Sequence, residues 1–129
     1  REQILALYRD NLSKSVALFK KERWATRLQQ LSELRSKEIP SFTVNEREQL
    51  VEVLERCFVN VITNLRDEAA KQKSRLKAED IHLCLLLSLG YSIGVIREYL
   101  TASSDDVVRK RRVRLGDKLP EDILQLFSV

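Results

Sequence analysis

Glycine and proline are scarce in this chain, with three and two among 129 residues. β-Hairpins and tight turns need such residues at set places, so their shortage excludes a strand-rich architecture. Leu, Glu, Lys, Arg and Ala dominate instead, and these favour helices nearly throughout. Long apolar runs are missing too. The longest, Leu83 to Leu89, is interrupted by Ser88 and falls well short of the ~20 residues that cross a bilayer. None of these residues is expected to lie in a membrane.

Cysteine is limited to Cys57 and Cys84, each among apolar residues at helical spacing, which suits reduced core thiols and a cytoplasmic setting. The single histidine, His82, lies two residues from Cys84, so on a helix the two face different ways and no zinc site is expected. A glycine-rich phosphate loop is absent, as is a nucleophile with a histidine base nearby, and the acidic residues mostly alternate with basic ones as on a solvated helix surface. Neither catalysis nor a cofactor is expected. The sequence opens on Arg1 directly in a helical pattern, with no leader and no initiator methionine, and reads as a piece of a longer protein.

What is present is one core's worth of apolar residues, 43% of the chain, beside 33% charged residues. Leu5, Tyr8, Leu12, Val16 and Phe19 recur at steps of three and four and predict a helix over residues 3–20. Leu5, Leu12 and Phe19 are also seven apart, a spacing that permits a short coiled-coil seam between two copies and equally a helix packed on its own domain. A second helix is expected over Glu22–Ser36 with Trp24, Leu28, Leu31 and Leu34 inward, stopped by Pro40. Thr43-Val44-Asn45-Glu46 is a capping box, and the rhythm Leu50, Leu54, Cys57, Phe58, Val61, Leu65 predicts one unbroken helix from there to Lys71. The polar segment Lys71 to Arg75 reads as a hinge. It divides the chain into an N-terminal helical, coiled-coil-like dimerisation region, 1–73, and a C-terminal unit, 74–129.

In that unit Ala78 to Leu89 is almost wholly apolar, as in a helix buried on most sides, and Gly90 ends it. Ser92 caps a helix holding Val95, Ile96, Tyr99 and Leu100. A polar turn, Thr101 to Asp105, precedes a third helix over Asp106–Lys118, and Ile123, Leu124, Leu126 and Phe127 form a last apolar segment. Between Val107 and Lys118, six cations, Arg109, Lys110, Arg111, Arg112, Arg114 and Lys118, face only Asp117, a local net of +5 against +4 for the whole chain. Positive charge gathered on one short helix is the footprint of a surface that meets phosphate. A solvated basic helix, or one docking on an acidic partner, carries the same charge.

The order of elements favours nucleic acid: a buried helix, a glycine turn, a short helix, a polar turn and a basic helix match a helix-turn-helix, whose last helix enters the major groove. On the basic helix Val108, Leu115 and Leu119 face the core with the Arg112 stem beside them. Asp106, Arg109, Lys110 and Val113 point outward to base edges, and Arg111, Arg114 and Lys118 flank them where phosphates would lie.

The run Leu76-Lys77-Ala78-Glu79-Asp80, then Leu89-Gly90-Tyr91-Ser92, then Ile96, Leu100, Ser103 and Val108, and finally Arg111-Arg112-Val113-Arg114-Leu115 with Lys118-Leu119, resembles the LuxR-type C-terminal helix-turn-helix. It is most similar to the form that closes regulators of the Bacteroidetes, in which tetratricopeptide repeats, a membrane span and a coiled coil often precede it. The likeness covers about residues 74–119. It implies an all-α helical bundle with a C-terminal LuxR-like helix-turn-helix that binds double-stranded DNA as a homodimer in a bacterial transcription regulator, on the cytoplasmic side of any upstream membrane anchor. This chain departs from the pattern at Lys77, where a Ser or Thr cap is usual, at Gly94 early in the second helix, at a turn one residue longer, at the paired Asp105 and Asp106, and at Gly116 inside the basic helix. The competing expectation is a helical protein-interaction module that keeps the shape without binding DNA.

Overall fold

A computed structural model describes all 129 residues. The first helix, α1, runs Glu2–Phe19 and lies against α3 (Val44–Cys57) and α4 (Val59–Lys71). It is antiparallel to α4: the Tyr8 hydroxyl donates to Glu68 at 2.9 Å, the Asn11 amide donates to Asn64 at 3.0 Å, and Phe19 meets Phe58 at a ring separation of 6.1 Å. Leu5 and Phe19 are buried in this contact and Leu12 packs against it, so the heptad stripe belongs to the chain's own core. The apolar side chains that α1 leaves outward are Ile4, Leu7 and Leu18.

The capping box is formed as read, with the Glu46 amide donating to Thr43 Oγ1 at 3.0 Å and the Thr43 amide to Glu46 Oε1 at 2.9 Å. The helix it starts is not unbroken. Phe58, at φ −112° and ψ 26°, leaves helical geometry and divides the expected single helix into α3 and α4. Hydrophobic spacing conceals this break because Cys57, Phe58, Val61 and Leu65 stay inward on both sides of it. The break aims two short helices at α1, which touches both.

The second helix, α2, spans Arg23–Ser32 and ends earlier than its pattern suggests. Leu34 is therefore 43% exposed rather than inward. The chain turns at Ser36–Glu38 in a single 3-10 turn and carries Ile39 into the core.

The segment read as a hinge is a closed helix end. Lys73 adopts φ 56°, and the amides of Lys73 and Ser74 return to the carbonyls of Ala70 and Ala69 at 2.9 Å each, a Schellman motif. Beyond it come α5 (Ala78–Ser88), α6 (Ile93–Leu100), α7 (Asp105–Arg114), a 3-10 turn over Leu115–Asp117, and α8 (Glu121–Leu126). In α5 every side chain from Ile81 to Leu87 is buried. One apolar cluster of 34 buried residues includes side chains from both sides of position 73, from Leu5 to Phe127.

Two of the buried polar side chains, His82 and Glu68, are partnered. His82 Nδ1 lies 2.9 Å from the Tyr99 hydroxyl, joining α5 to α6, and its Nε2 lies 3.5 Å from Glu55 on α3. Glu68 is buried and accepts from Tyr8, from Lys71 at 2.8 Å and from Arg1 at 2.8 Å. Burial alone would raise its carboxyl; hydrogen bonds from Arg1, Lys71 and Tyr8 outweigh that and hold it below the ordinary carboxylate range. No helix is long and apolar enough to cross a membrane.

Candidate nucleic-acid interface

Gly90 takes φ 81°, and the amides of Gly90 and Tyr91 close the end of α5 on the carbonyls of Leu87 and Leu86. Two residues on, the Ser92 hydroxyl accepts from the Val95 amide at 3.2 Å and starts α6. Gly94 then lies where a side chain would not fit. A Cβ there would stand 2.6 Å from Ile39 Cδ1, 2.7 Å from Ser36 Oγ and 3.1 Å from Ser36 Cα. The departure at Gly94 is thus a matter of packing: the Ser36–Ile39 segment rests directly on the α6 backbone.

α6 ends at Thr101, which takes the left-handed conformation at φ 53°, with the Ala102 amide returning to Arg97 O at 3.0 Å. Four residues, 101–104, separate α6 from α7, and the Ser104 hydroxyl caps α7 by accepting from the Val107 amide at 3.3 Å. Asp105, read as part of the turn, is the first residue of the helix. It receives Arg97 Nη1 at 2.6 Å and the Ser36 hydroxyl at 2.8 Å, while Arg97 also donates to Ser36 O at 2.9 Å. Burial would push the Asp105 carboxyl up, but these hydrogen bonds prevail and keep it below its ordinary value. This group of Arg97, Asp105 and Ser36 ties the start of α7 to α6 and to the 3-10 turn after α2. Sequence reasoning missed it because its members are 61 and 8 residues apart and no periodicity relates them.

From that anchor α7 turns one side inward and one outward. Val108 is fully buried, and Leu115 and Leu119 follow it into the core, as the helical wheel requires. The Arg112 stem runs beside them and its Nη2 donates to Ser128 O at 2.8 Å, tying α7 to the chain end. Asp106, Arg109, Lys110, Val113 and Arg114 are all exposed. Val113 is 79% exposed, an apolar side chain set among cations with nothing of its own chain to cover it.

The structure divides the six cations. Arg109 pairs with Asp106 one turn back at 2.9 Å, both in solvent, so the carboxylate shields part of that arginine's charge. Lys118 Nζ meets Asp80 at 2.8 Å, and Arg111 Nη1 lies 3.3 Å from Glu79, buried there without a directed hydrogen bond. The expected helix over Asp106–Lys118 stops at Arg114, so Arg111 holds α7 itself to the first turn of α5 while Lys118 holds the segment just beyond the 3-10 turn that follows. Asp80 also accepts from the Lys77 amide at 2.9 Å, supplying the N-terminal cap that Lys77 itself cannot. Lys110 and Arg114 have no carboxylate within ion-pair distance and remain the fully available charges of the helix. Gly116 lies in the 3-10 turn beyond the true end of α7, and no heavy atom stands near its missing Cβ.

Cys57 and Cys84 are free and buried, and burial pushes the Cys84 thiol up to about 12. No group of three His, Cys, Asp or Glu side chains converges as a metal site would. Comparisons of this chain with protein-family models, with curated proteins and with solved structures found no match.

Proposed function

We propose that this chain binds double-stranded DNA, with α5, α6 and α7 acting as a LuxR-like helix-turn-helix and α7 lying in the major groove, as part of a bacterial transcription regulator. The observation that carries the reading is the outward side of α7, where Arg109, Lys110, Val113 and Arg114 are exposed together on a helix whose opposite side is locked by Val108. An arginine there makes the bidentate contact to guanine, a valine meets a thymine methyl, and flanking cations hold phosphate. Asp106 sets the rotamer of Arg109, and Arg111 and Lys118 serve mainly to position α7 because Glu79 and Asp80 already hold them.

Regulators of this shape read paired half-sites, so a second copy of the chain is part of the proposal. The apolar side chains on α1 open to such a partner are Ile4, Leu7 and Leu18. A binding role without catalysis and a cytoplasmic setting complete the reading, the latter supported by two unpaired buried thiols.

The test is fluorescence anisotropy with a random-sequence duplex across a salt series. Affinity should fall steeply with salt, and Arg114→Ala should lower the slope of log K against log salt by about 0.9 on every sequence. Arg109→Ala should change which sequence is preferred, with about 1–3 kcal/mol less discrimination at one base pair. The competing reading, a protein-interaction module, draws on exposed Val113, and absence of duplex binding at low salt would establish it over the DNA reading.

A further inference from the structure

Outside α7 the chain has a second concentration of positive charge. A cleft of about 780 Å³ lies between the outer side of α4 and the segment that leads into α5, lined by Arg66, Ser74, Arg75 and Lys77 together with two alanines and Leu76. No carboxylate lines it. Lys77 is shared with a neighbouring cleft of about 320 Å³, whose other walls include Arg111, Arg114 and Lys118 of the basic helix region with Glu79, Asp80 and Asp117. Glu79 and Asp80 are already engaged by Arg111 and Lys118. Asp117 also lines the smaller cleft, on the side of Arg114. Arg66, Arg75, Lys77 and Arg114 thus border two neighbouring clefts that share Lys77, and none of the four has a carboxylate within ion-pair distance.

We propose that these two neighbouring clefts form a track for the sugar-phosphate backbone, leading from the end of α7 across Lys77 to Arg75 and Arg66 on the flank of α4. The inference rests on the DNA reading above and extends it: α4 and the segment before α5, which lie outside the helix-turn-helix, bind phosphates of their own. Two features favour a polyanion over a single small anion. The cations are spread along two neighbouring clefts that share Lys77 instead of converging on one point, and the larger cleft has no carboxylate in its lining. Side chains of this kind fix register without reading sequence. Ser74, half-buried in the wall of the larger cleft, adds a neutral hydroxyl donor to its lining.

The experiment compares the wild-type chain with Arg66→Gln/Arg75→Gln by anisotropy on a random-sequence duplex across a salt series, after thermal melting shows that both are equally folded. The track predicts a weaker complex at low salt and a slope of log K against log salt lower by about 0.9 for each phosphate no longer neutralised, or about 1.8 for the two arginines together. Base preference on a selected operator should be unchanged. If the wild type binds duplex and the double variant keeps its full slope, the track is overturned while the DNA reading stands. A wild type that binds no duplex at low salt overturns both. Sedimentation with phosphatidylserine vesicles is the second arm: vesicle binding abolished in the double variant, with its DNA slope intact, would assign the cleft to a lipid surface and overturn the inference.

Discussion

Replacing Gly94 by alanine sets two effects of opposite sign against each other. Glycine inside a helix is less favourable than alanine by about 1 kcal/mol, so helix propensity alone makes Gly94→Ala stabilising. Packing opposes this, because the new methyl would stand 2.6 Å from Ile39 Cδ1 and 2.7 Å from Ser36 Oγ. Ile39 Cδ1 is the free end of a side chain and gives way. Ser36 Oγ is not free, since it donates to Asp105 at 2.8 Å and is met by Arg97, and Ser36 Cα at 3.1 Å is backbone. Relief therefore requires displacing the Ser36 turn and loosening the group that anchors α7. Overpacking of this kind costs about 1–3 kcal/mol, which exceeds the propensity gain and leaves a net loss of about 1 kcal/mol. For a domain of this length that lowers the melting temperature by about 4 °C. Calorimetry on the two proteins reads it directly. Adding Ile39→Val, which shortens the nearest side chain, should recover part of the loss as a non-additive coupling. A Gly94→Ala protein that melts above the wild type would refute the reasoning, since propensity would then dominate and the Ser36–Ile39 segment would rest only loosely on α6.

Thr101 is a β-branched residue held at φ 53°, where L-residues are strained by about 1–2 kcal/mol and glycine is not. Thr101→Gly should raise the stability read from urea denaturation by about 0.5–1 kcal/mol after the extra entropy of glycine in the unfolded chain is subtracted, and a lowered midpoint would count against strain there. Burial holds the His82 imidazole below its ordinary value of 6.5, so the folded protein resists protonation that the unfolded chain accepts. Its contribution is complete above about pH 6.5 and declines as pH falls from there towards the depressed folded value. Melting temperature should thus decline from about pH 7.5 to about pH 5.5 in the wild type and stay flatter in His82→Gln; parallel declines would exclude His82 as the cause. Leu86, fully buried in α5, should cost about 2–5 kcal/mol on truncation to alanine in urea denaturation, and a loss below about 1 kcal/mol would contradict its central position.

The parts of the fold that are legible in the sequence are those written in short, contiguous signals. Thr43 and Glu46, three residues apart, announce a cap that the structure forms, and Gly90 and Ser92 mark the end of α5 and the start of α6. The almost wholly apolar stretch from Ala78 to Leu89 foretells a helix buried on most sides, and every side chain from Ile81 to Leu87 is buried. The outward set Asp106, Arg109, Lys110, Val113 follows from the position of Val108 alone, because a helix of known period has one orientation once its buried side is known.

Other features escape for definite reasons. The division at Phe58 preserves hydrophobic spacing, so no pattern registers it, and Leu34 is expected inward because its spacing continues after the helix has stopped. The Leu5, Leu12, Phe19 stripe has the same spacing whether it meets another chain or its own α3 and α4. Periodicity identifies a buried face and is silent about what buries it.

By itself, then, the sequence determined the all-helical class, the caps at Thr43, Gly90 and Ser92 and the concentration of cations on α7, because these depend on residues within one or two turns of each other. Which cations are available was a tertiary matter: Arg111 and Lys118 are held by Glu79 and Asp80, more than thirty residues away, whereas Lys110 and Arg114 are not. The need for glycine at position 94 likewise arises only when the chain from Ser36 to Ile39 comes to rest on α6. Charge and propensity belong to the residue, but the partner that neutralises a charge or occupies a space is supplied by folding, and no local window contains it.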